Sequence, residues 1–488
     1  MTKPLISSHT TPDDLKGRRV LVVGLGESGL AMARWLHQQR AEIAVVDTRS
    51  QPPGLELLAS AVPGAEWRSR GKPLEGAVVD IALAGIELLA VSPGVPFDAP
   101  LILAAQAREI PVWSEVDCFQ VARAASCPAS KVLAITGANG KTTTTALTAH
   151  LLNATGVDAV ACGNISPSLL DAWMARQLSG QWPAVWVLEL SSFQLEATQC
   201  MRSDAAIILN LSEDHLDRHV TMVGYAAAKG RIYEHCTQPV WNRADLWADA
   251  YGLDQASATS IGEDAPANAD DLGLVDGVIV RGVERLIPMA DLPLLGRHNA
   301  LNVQAALALA AHALPADKPL ADLMHGIRSF RGLPHRVTLI ATQVGVRYVD
   351  DSKATNVGAT LAAIEGLYDP AQPQKKLALL LGGEGKGQDF SPLGGAVERA
   401  GRAVALIGAD ADAISSVLPT SLPVERFADL PSATRWLADQ AQPGDTVLLS
   451  PACASLDMFS NYAERAQVFI DTVYALNRCG PMKDGEAA

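Results

Sequence analysis

The sequence predicts an α/β protein with three domains in series. The chain of 488 residues is about three times as long as a typical domain. Short apolar strand patterns alternate with helix patterns, and glycine-rich or polar loops follow many of the strands. A polar stretch at 126–130 and a Gly-Leu-Pro sequence at 332–334 separate three such segments. We therefore expect domains at 1–128, 129–333 and 334–488.

The composition is that of a folded globular protein. Charged residues make up 19% of the chain and hydrophobic residues 48%, which argues against disorder or a coiled coil. The net charge of 39 − 53 = −14 disfavours attraction of the whole surface to nucleic acid or anionic lipid, so an anionic ligand must be bound by local cationic groups. No apolar run approaches the ~18 residues that span a bilayer.

The cysteines indicate a reduced, cytoplasmic protein. They are odd in number, widely spread and without a C-x-x-C pair, which argues against a disulfide framework or a thiolate zinc site. Residues 1–16 carry Pro, Ser, Thr and paired Asp before any apolar stretch, so we expect no secretory leader there. The cysteines are Cys118, Cys127, Cys162, Cys200, Cys236, Cys453 and Cys479.

The first segment opens with a β-α-β unit, formed by a strand at 18–26, a helix at 28–39 and a strand at 43–46. The turn G-L-G-E-S-G at 24–29 fits G-x-G-x-x-G, and Asp47 ends the second strand. This pattern is typical of a Rossmann-like domain, with a diphosphate at the helix N-terminus and Asp47 on a ribose hydroxyl. It does not identify the nucleotide, and a nicotinamide-dependent dehydrogenase is one alternative. Further strands are predicted near Ile81 and Ala90.

The second segment repeats the strand-turn-helix arrangement. A strand at 132–135 leads through a glycine-rich loop into a helix that ends near 153. The acidic stretch 255–271 shows no periodicity and is interpreted as a surface insertion. The remaining predicted elements are strands at 185–190 and 206–210, short strands around 277–287 and a helix at 301–313 buried on one side.

The loop T-G-A-N-G-K-T-T-T at 136–144 predicts a P-loop ATPase-like mononucleotide-binding sheet. Its glycines let backbone N–H groups approach phosphate oxygens, and Lys141 can reach the terminal phosphates. Thr142 or Thr143 can offer a hydroxyl to Mg²⁺. The loop departs from G-x-x-x-x-G-K-[ST], because Ile135 stands at the first glycine position. A dehydrogenase would have no need of this second, lysine-bearing loop.

Two further residues follow neighbouring strands. Glu189 ends the strand at 185–190, where a carboxylate beside a phosphate loop is a natural Mg²⁺ ligand. His215 follows the next strand, and we favour a metal or phosphate role for it over a solvated polar loop. The spacing of His215 and His219 resembles a helical zinc pair, but Leu216 replaces the glutamate of H-E-x-x-H and no third ligand is evident.

The third segment predicts a Rossmann-like sheet with strands at 347–349, 376–381, 404–407 and 446–450. The loops after such strands converge at one edge of a parallel sheet, where ligands bind. The tail at 480–488 is expected to fray.

A series of ordered motifs shows that the chain resembles the Mur ligase family along nearly its whole length, and within it the members that add D-glutamate. The motifs are T-G-A-N-G-K-T at 136–142, G-N-I at 163–165, L-E-L-S-S-F-Q-L-E at 188–196, N-L-S-E-D-H-L-D-R at 210–218, G-R-H-N at 296–299, L-P-H-R at 333–336, D-S-K-A-T-N at 351–356, G-G-E-G-K at 382–386 and S-P-A-C-A-S-L-D at 450–457.

The resemblance implies a three-domain enzyme that binds a uridine nucleotide in the first domain, ATP in the second and the incoming amino acid in the third. It implies ATP-dependent formation of an amide between UDP-N-acetylmuramoyl-L-alanine and D-glutamate, a step of peptidoglycan synthesis, in a cytoplasmic monomer. The implied cofactors are two Mg²⁺ ions and a carbamylated Lys229, a residue that its sequence context alone would leave as a surface lysine.

The resemblance also assigns binding residues. The uridine-nucleotide substrate would contact Glu27, Ser28, Asp47, Thr48, Arg49, Ser92 and Asn164. ATP would contact Gly137, Ala138, Asn139, Gly140, Lys141, Thr142, Thr143, Thr144, His298, Asn299, Arg336 and Asp351. The metal ligands would be Thr142, Glu189, His215 and Lys229, and the catalytic residues Lys141, His215 and Lys229. D-Glutamate would contact Lys353, Thr355, Lys386, Ser455, Leu456 and Tyr462.

The sequence departs from the family pattern at two of these positions. Tyr462 stands where these ligases commonly have phenylalanine, and Ala138 stands at a position that is often serine. Another ligase of the same family remains an alternative, although D-S-K-A-T-N at 351–356 differs from the D-Y-A-H-x-P of the tripeptide ligases and no D-N-P-R segment occurs.

Overall fold

The computed structural model describes residues 11–251, 253, 255–294, 296, 298–315 and 318–476. The predictions for residues 1–10, Cys479, the tail at 480–488 and Arg297 of the G-R-H-N motif lie outside this part of the chain. Within it, no helix has the length and apolar character needed to cross a membrane.

The N-terminal sheet is parallel, with strand order β3-β2-β1-β4-β5. The predicted β-α-β unit is confirmed as β1, α1 and β2. The strands are β1 (Arg19–Val23), β2 (Glu42–Asp47), β3 (Glu66–Arg70), β4 (Leu88–Val91) and β5 (Val112–Ser114). The helices are α1 (Glu27–Gln38), α2 (Leu55–Ala61), α3 (Ala77–Leu83), α4 (Pro100–Ala107) and α5 (Glu115–Ser126), after a 3₁₀ turn at Pro12–Leu15.

The strand predicted near Ile81 is wrong, because this residue lies in α3. Val79, Ala82 and Leu83 are buried on one side of this helix while Ile81 is exposed, which is helical rather than alternating spacing.

Gly29 has a steric role at the start of α1. A Cβ atom there would lie 1.9 Å from the carbonyl oxygen of Gly24, so only glycine permits this close packing of turn and helix.

The central sheet has the parallel order β11-β10-β9-β6-β8-β7. Its strands are β6 (Lys131–Thr136), β7 (Ala159–Gly163), β8 (Val185–Glu189), β9 (Ser203–Ile208), β10 (Cys236–Asn242) and β11 (Thr259–Ile261). The associated helices are α6 (Lys141–Ala154), α7 (Leu169–Ser179), α8 (Ser192–Ala197), α9 (Leu216–His219), α10 (Met222–Gly230), α11 (His298–Ala313) and α12 (Asp322–Ser329).

Two predictions in this region need correction. The stretch 255–271 is not wholly a surface insertion, because β11 lies within it, pairs with β10 and buries Ser260 and Ile261. A strand of three residues is too short to show periodicity in the sequence. Helix α11 is buried on most of its circumference rather than on one side, since it contacts α6 as well as β9, β10 and β11. The short strands predicted around 277–287 are confirmed as an antiparallel sheet of β12 (Leu272–Val275), β13 (Val278–Arg281) and β14 (Glu284–Pro288).

The C-terminal sheet is mixed, with order β15-β16-β20-β17-β18-β19 and β15 antiparallel to β16. The four predicted strands are confirmed, and β15 and β19 are additional edge strands. The strands are β15 (Thr338–Gln343), β16 (Val346–Asp350), β17 (Leu377–Gly382), β18 (Gly401–Ile407), β19 (Val424–Arg426) and β20 (Thr446–Leu449). The helices are α13 (Val357–Leu367), α14 (Ser391–Ala400), α15 (Ala411–Val417), α16 (Leu430–Gln440) and α17 (Tyr462–Leu476).

One hydrophobic core continues from the N-terminal sheet into the central sheet. It includes Trp35 and Phe119 from the first region and Trp186 from the second, and the rings of Phe119 and Trp186 meet edge to face at 5.3 Å. Two buried carboxylates of α5 reinforce this junction. Glu115 Oε1 accepts a hydrogen bond from the backbone of Leu170, and Asp117 Oδ1 accepts two from the backbone at 199 and 200.

Candidate active site

A cleft of about 710 Å³ lies between the central and C-terminal sheets. Its central wall carries the phosphate loop, the end of β8 and the start of α11, and its C-terminal wall carries the segments 333–337 and 351–362 with Tyr462. The phosphate loop, the end of β8 and the segment 351–362 lie at the carboxyl ends of parallel strands, while 333–337 precedes β15 and Tyr462 begins α17. Residues far apart in sequence therefore meet here. The site residues that line the cleft are Ala138, Asn139, Gly140, Lys141, Thr142, Thr143, Asn164, Glu189, His215, His298, Asn299, Arg336, Asp351, Lys353, Thr355 and Tyr462.

The phosphate loop connects β6 to α6 in the predicted context. Gly137 and Gly140 have φ values of 151° and 83°, which favour glycine, and Lys141 is the first residue of α6. Lys141 Nζ donates to the carbonyl oxygens of Gly137 at 2.8 Å and Ala138 at 2.7 Å. Burial lowers the pKa of Lys141, and the carboxylates of Glu189 and Asp214 oppose this shift. The N–H groups at the start of α6 and the Lys141 ammonium give this end of the cleft a positive electrostatic character.

The carboxylate of Glu189 fits a magnesium ligand. This residue ends β8 and is 1% exposed, and its Oε1 accepts a hydrogen bond of 2.7 Å from Asn164 Nδ2. Its Oε2 is buried without a hydrogen-bond partner among the described residues. A buried carboxylate oxygen without a donor suits a hard cation, and the hydroxyl of Thr142 lies in the same cleft.

His215 precedes the one-turn helix α9 and has a left-handed backbone with φ of 54°. Its ring packs against Phe193 with a centroid distance of 4.8 Å, and its Nε2 lies 3.7 Å from Asp214 Oδ2. In the described part of the chain, His, Cys, Asp and Glu side chains alone do not form a metal-binding group of three. A cation at Glu189 would therefore also need hydroxyl, amide, phosphate or water oxygens.

Lys229 is a buried residue, contrary to what its sequence context alone suggests. It lies in α10, is 1% exposed, and its Nζ donates to Gly137 O at 2.9 Å and Thr136 Oγ1 at 3.2 Å. The ring of Tyr225 lies 4.8 Å from the same nitrogen. Burial and the neighbouring Lys141 ammonium hold the pKa of Lys229 well below its usual value. Lys229 is thus beneath the phosphate loop rather than on the surface.

The C-terminal wall presents cations and a buried acid. Arg336 NH2 donates to Thr142 Oγ1 at 2.8 Å, which links the two walls. Asp351 accepts hydrogen bonds from the backbone of Val337 at 3.2 Å and from Ser450 Oγ at 2.8 Å. Burial raises the pKa of Asp351 to about 7, although these bonds partly oppose the shift. Lys353 Nζ lies 3.9 Å from the centroid of the Tyr462 ring, in a cation–π contact. The tyrosine that departs from the family pattern therefore contacts a lysine that is predicted to bind D-glutamate.

The start of α11 forms another part of the cleft. Ring nitrogen Nδ1 of His298 lies 3.1 Å from the carbonyl oxygen of Ala362 in the C-terminal region, and burial lowers the pKa of this histidine. Asn299 Oδ1 accepts a bond of 2.8 Å from Asn302 Nδ2. Asn302 Oδ1 in turn accepts one of 3.3 Å from Thr144. This chain of bonds fixes the start of α11 against the phosphate loop.

Several cleft residues were not predicted from the sequence. Asn302 could have been noticed as a polar residue one turn after Asn299 in an apolar helix. His335 lines the cleft and its Nδ1 lies 2.7 Å from Asp350 Oδ2, but only the fold reveals this pair. Asp214 also lines the cleft, where its Oδ2 accepts a bond of 3.3 Å from Asn356.

The predicted uridine-nucleotide residues lie around the first glycine-rich turn. Asp47 is 2% exposed, accepts from Leu25 N at 2.7 Å, and binds Arg49 through Nε and NH2 at 2.9 and 2.7 Å. Burial would raise the pKa of Asp47, but the bonds from Arg49 and the backbone outweigh it and lower the pKa. Ser92 Oγ donates to Gly24 O at 2.8 Å. Ser28 lies in the first turn of α1 and Thr48 is exposed beside Asp47.

Glu27 connects this turn to the central region. Its Oε1 accepts a bond of 2.9 Å from Ser166 Oγ, and Ser166 itself lines the cleft two residues after Asn164. The first glycine-rich turn therefore lies next to the segment that supplies Asn164.

Three predicted D-glutamate residues do not line the cleft. Lys386 is exposed in the loop after β17, Ser455 is buried, and Leu456 is 64% exposed. The loops that carry them lie side by side, because Glu384 and Ala454 exchange two backbone hydrogen bonds of 3.0 and 2.9 Å. These three residues thus form a neighbouring group at the carboxyl edge of the same sheet.

Comparison with known proteins places the chain in a family. Three family profiles match it in succession: the Mur ligase MurD-like N-terminal domain at 18–114, the Mur ligase middle domain at 135–310 and the Mur ligase glutamate ligase domain at 335–453. A UDP-N-acetylmuramoylalanine–D-glutamate ligase of Dechloromonas aromatica is 53% identical over 465 residues, which cover 95% of this chain and 99% of that protein. The chain belongs to the Mur ligase family. A relative of the same name from Aromatoleum aromaticum is 50% identical, covering 93% and 97% of the two chains.

Solved structures share the Mur ligase fold at low sequence identity. A pseudomurein peptide ligase type C from Methanothermus fervidus has a TM-score of 0.57 at 16% identity and covers 94% of this chain and all of that chain. A UDP-N-acetylmuramate–alanine ligase from Thermotoga maritima gives the same TM-score and identity and covers 94% and 99%. At this identity the structures support the fold alone. The predicted resemblance to Mur ligases and the predicted fold class are both confirmed.

Proposed function

We propose that this Mur ligase couples ATP cleavage to the addition of D-glutamate to UDP-N-acetylmuramoyl-L-alanine, a step of peptidoglycan synthesis. The observation that supports it most is the full-length identity of 53% to a D-glutamate ligase, together with one cleft that contains Lys141, Glu189, Arg336 and Lys353. We place the reaction in the cytoplasm and expect a monomer.

The chemistry explains why the cleft combines phosphate and amino-acid residues. A carboxylate is a poor electrophile, so its condensation with an amine in water is uphill. We propose that the alanyl carboxylate of the first substrate attacks the γ-phosphorus of ATP, forming an acyl phosphate and releasing ADP. The amine of D-glutamate, having lost a proton to solvent, then attacks the acyl carbon to form a tetrahedral intermediate. This intermediate loses an N–H proton to solvent and expels inorganic phosphate. An amide bond forms and the phosphate leaves with the electron pair of the broken C–O bond.

The residues of the cleft would act mainly by positioning and by charge neutralisation. Lys141 and the N–H groups of α6 would hold the phosphates of ATP, and Arg336 would neutralise charge from the opposite wall. His298, Asn299 and Asp351 would contact the base, the ribose or the phosphates.

Bound magnesium would neutralise phosphate charge during transfer, and Glu189, Thr142 and His215 are its proposed ligands. Lys229 is proposed to react with CO₂ as its neutral amine, forming an N–C bond and releasing one proton, so that a buried amine becomes a carbamate anion. Its position beneath the phosphate loop beside Thr136 and Gly137 supports this, because a carboxylate there would complement a second cation.

The dicarboxylate of D-glutamate needs cations and hydrogen-bond donors. Lys353, Thr355 and Tyr462 would provide them in the cleft, and Lys386, Ser455 and Leu456 in the neighbouring group. The residues proposed to bind the uridine-nucleotide substrate are Glu27, Ser28, Asp47, Thr48, Arg49, Ser92 and Asn164.

Phosphate release by the purified protein tests this function. With ATP, Mg²⁺ and UDP-N-acetylmuramoyl-L-alanine, we expect release that depends on D-glutamate and is absent with L-glutamate, L-lysine or diaminopimelate. Preference for one of the other amino acids would assign the chain to another Mur activity. The Lys141→Ala variant is the matched control, because it removes the phosphate-binding ammonium and should abolish ADP formation. Near-normal ADP formation by this variant would contradict the proposed role of Lys141.

A further inference from the structure

Arg218 lies between the site proposed to bind UDP-N-acetylmuramoyl-L-alanine, the first substrate, and the site proposed to bind ATP. It lies in α9, the one-turn helix that follows His215, and only 12% of its side chain is exposed. Its NH2 group donates to the backbone oxygen of Val95, in the turn 92–95 after β4, at 3.0 Å. One guanidinium therefore joins the segment of a proposed metal ligand to a loop of the N-terminal sheet.

The same guanidinium is fixed by two further contacts. Its Nε and NH2 both donate to Glu196 Oε2, at 3.0 and 2.7 Å, and its central carbon lies 5.1 Å from the centroid of the Phe193 ring. The Phe193 ring also packs on His215 at 4.8 Å. Arg218 thus reaches His215 through the backbone of α9 and through the ring of Phe193.

The backbone of this segment needs such external support. His215 and Val220, at the two ends of α9, have φ values of 54° and 64°, which are unfavourable for residues with a Cβ and most of all for a β-branched one. A helix of one turn cannot hold these conformations by its own hydrogen bonds. His219 anchors the segment to Ser192 at 3.0 Å, and Arg218 anchors it to Val95 and Glu196.

The turn at the other end of the contact belongs to the proposed nucleotide site. Val95 N donates to Ser92 O at 3.0 Å, and Ser92 Oγ donates to Gly24 O in the glycine-rich turn. Any shift of Val95 relative to His215 would therefore move the first substrate relative to the phosphates of ATP.

We propose that Arg218 is a positioning residue that aligns the His215 segment with the turn 92–95. This alignment would bring the alanyl carboxylate of the first substrate to the γ-phosphate of ATP. The proposal rests on the function proposed above and concerns its first step, acyl phosphate formation. Lysine cannot replace arginine fully, because its compact ammonium does not provide the planar fork that contacts Glu196 and Val95 together while stacking on Phe193.

The test compares Arg218→Ala with Arg34→Ala. Arg34 also joins the N-terminal and central regions, but its ion pair of 2.8 Å is with Asp171 in α7, a residue outside both α9 and the turn 92–95. For Arg218→Ala we expect kcat to fall about 100-fold, with KM for ATP and for D-glutamate within about threefold of the parent protein. Hydroxylamine trapping of the acyl phosphate should fall in parallel. Arg34→Ala should retain the parent kcat, and Arg218→Lys should recover part of the loss.

The outcomes separate the two proposals. If the parent protein shows no D-glutamate-dependent phosphate release, the proposed function is wrong. If the parent is active and Arg218→Ala matches Arg34→Ala in kcat, Arg218 only stabilises the fold and the positioning role is wrong. Should Arg218→Ala fail to fold, Phe193→Leu removes the shared stacking surface and should show the same loss of kcat with unchanged KM for ATP. A parent-like kcat in that variant would also overturn the proposal.

Discussion

The guanidinium of Arg336 donates a hydrogen bond of 2.8 Å to the hydroxyl of Thr142, across the cleft between the C-terminal and central sheets. A hydroxyl oxygen has two lone pairs, so Thr142 can accept this bond and still coordinate a cation. The contact places a fixed positive charge beside the phosphate loop from a part of the chain almost two hundred residues away. In the proposed function, this contact would bring the C-terminal region of the protein to the phosphates of ATP.

Replacement of Arg336 should therefore impair catalysis. We expect Arg336→Ala to lower kcat about 100-fold or more, because a preorganised charge next to the transferring phosphoryl group is lost. Arg336→Lys should recover only part of the activity, since lysine lacks the forked donor geometry. Steady-state kinetics with ATP varied would check this, and Lys131→Ala, outside the cleft, is the control for loss of a cation. An Arg336→Ala enzyme with parent kcat would argue against a role in phosphoryl transfer.

The first glycine-rich turn allows a paired test of packing. A Cβ at position 29 would lie 1.9 Å from Gly24 O and 2.6 Å from Ser92 Oγ, whereas a Cβ at position 26 would have no heavy atom within 4 Å. Gly29→Ala should reduce the free energy of unfolding by at least about 2 kcal/mol, and Gly26→Ala should leave it nearly unchanged. Urea denaturation of both variants measures the difference, and equal stabilities would show that the turn relaxes easily.

The buried acid Asp351 predicts a pH dependence of stability. Its pKa is raised by burial from 3.8 to about 7 in the folded protein, so the folded state holds a proton that the unfolded chain releases near pH 4. Its contribution to stability is full below about pH 4 and is lost as the pH rises to about 7. We expect Asp351→Asn to show a smaller loss of unfolding free energy between pH 5 and 8 than the parent, by at most about 3 kcal/mol. The same pH dependence of the unfolding free energy in both proteins would show that the pKa of Asp351 is not raised by burial.

Carbamylation of Lys229 can be measured directly. In ¹³C-bicarbonate buffer the parent protein should show a carbamate carbonyl signal by NMR, which Lys229→Ala should lack. Lys353→Ala is the matched control, because Lys353 lines the cleft and contacts the Tyr462 ring, whereas Lys229 lies beneath the phosphate loop. A signal that persists in Lys229→Ala would assign the carbamate to another amine.

The sequence predicts those parts of the site that depend on local patterns. The loop at 136–144, Glu189 at a strand end and Asp47 after the second strand each follow from neighbouring residues, and the family motifs add Arg336 and Asp351. Contacts between distant segments have no such local pattern. The pair of His335 and Asp350 and the bond from Arg218 to Val95 exist only because separate loops meet at the edges of the sheets.

The errors in the fold have similar causes. Ile81 is an apolar residue on the exposed side of a short helix, so its hydrophobicity resembled that of a strand. The strand β11 has three residues, and pairing with β10 rather than its own composition determines its conformation. The proposed domain boundaries remain predictions.

The core that contains both Phe119 and Trp186 has a thermodynamic consequence. Because side chains of the first two sheets are buried against one another, neither sheet can lose its structure without exposing apolar surface of the other. The C-terminal sheet has separate cores on its two faces. Scanning calorimetry should therefore resolve two heat-absorption peaks rather than three, with the larger one representing joint melting of the N-terminal and central sheets.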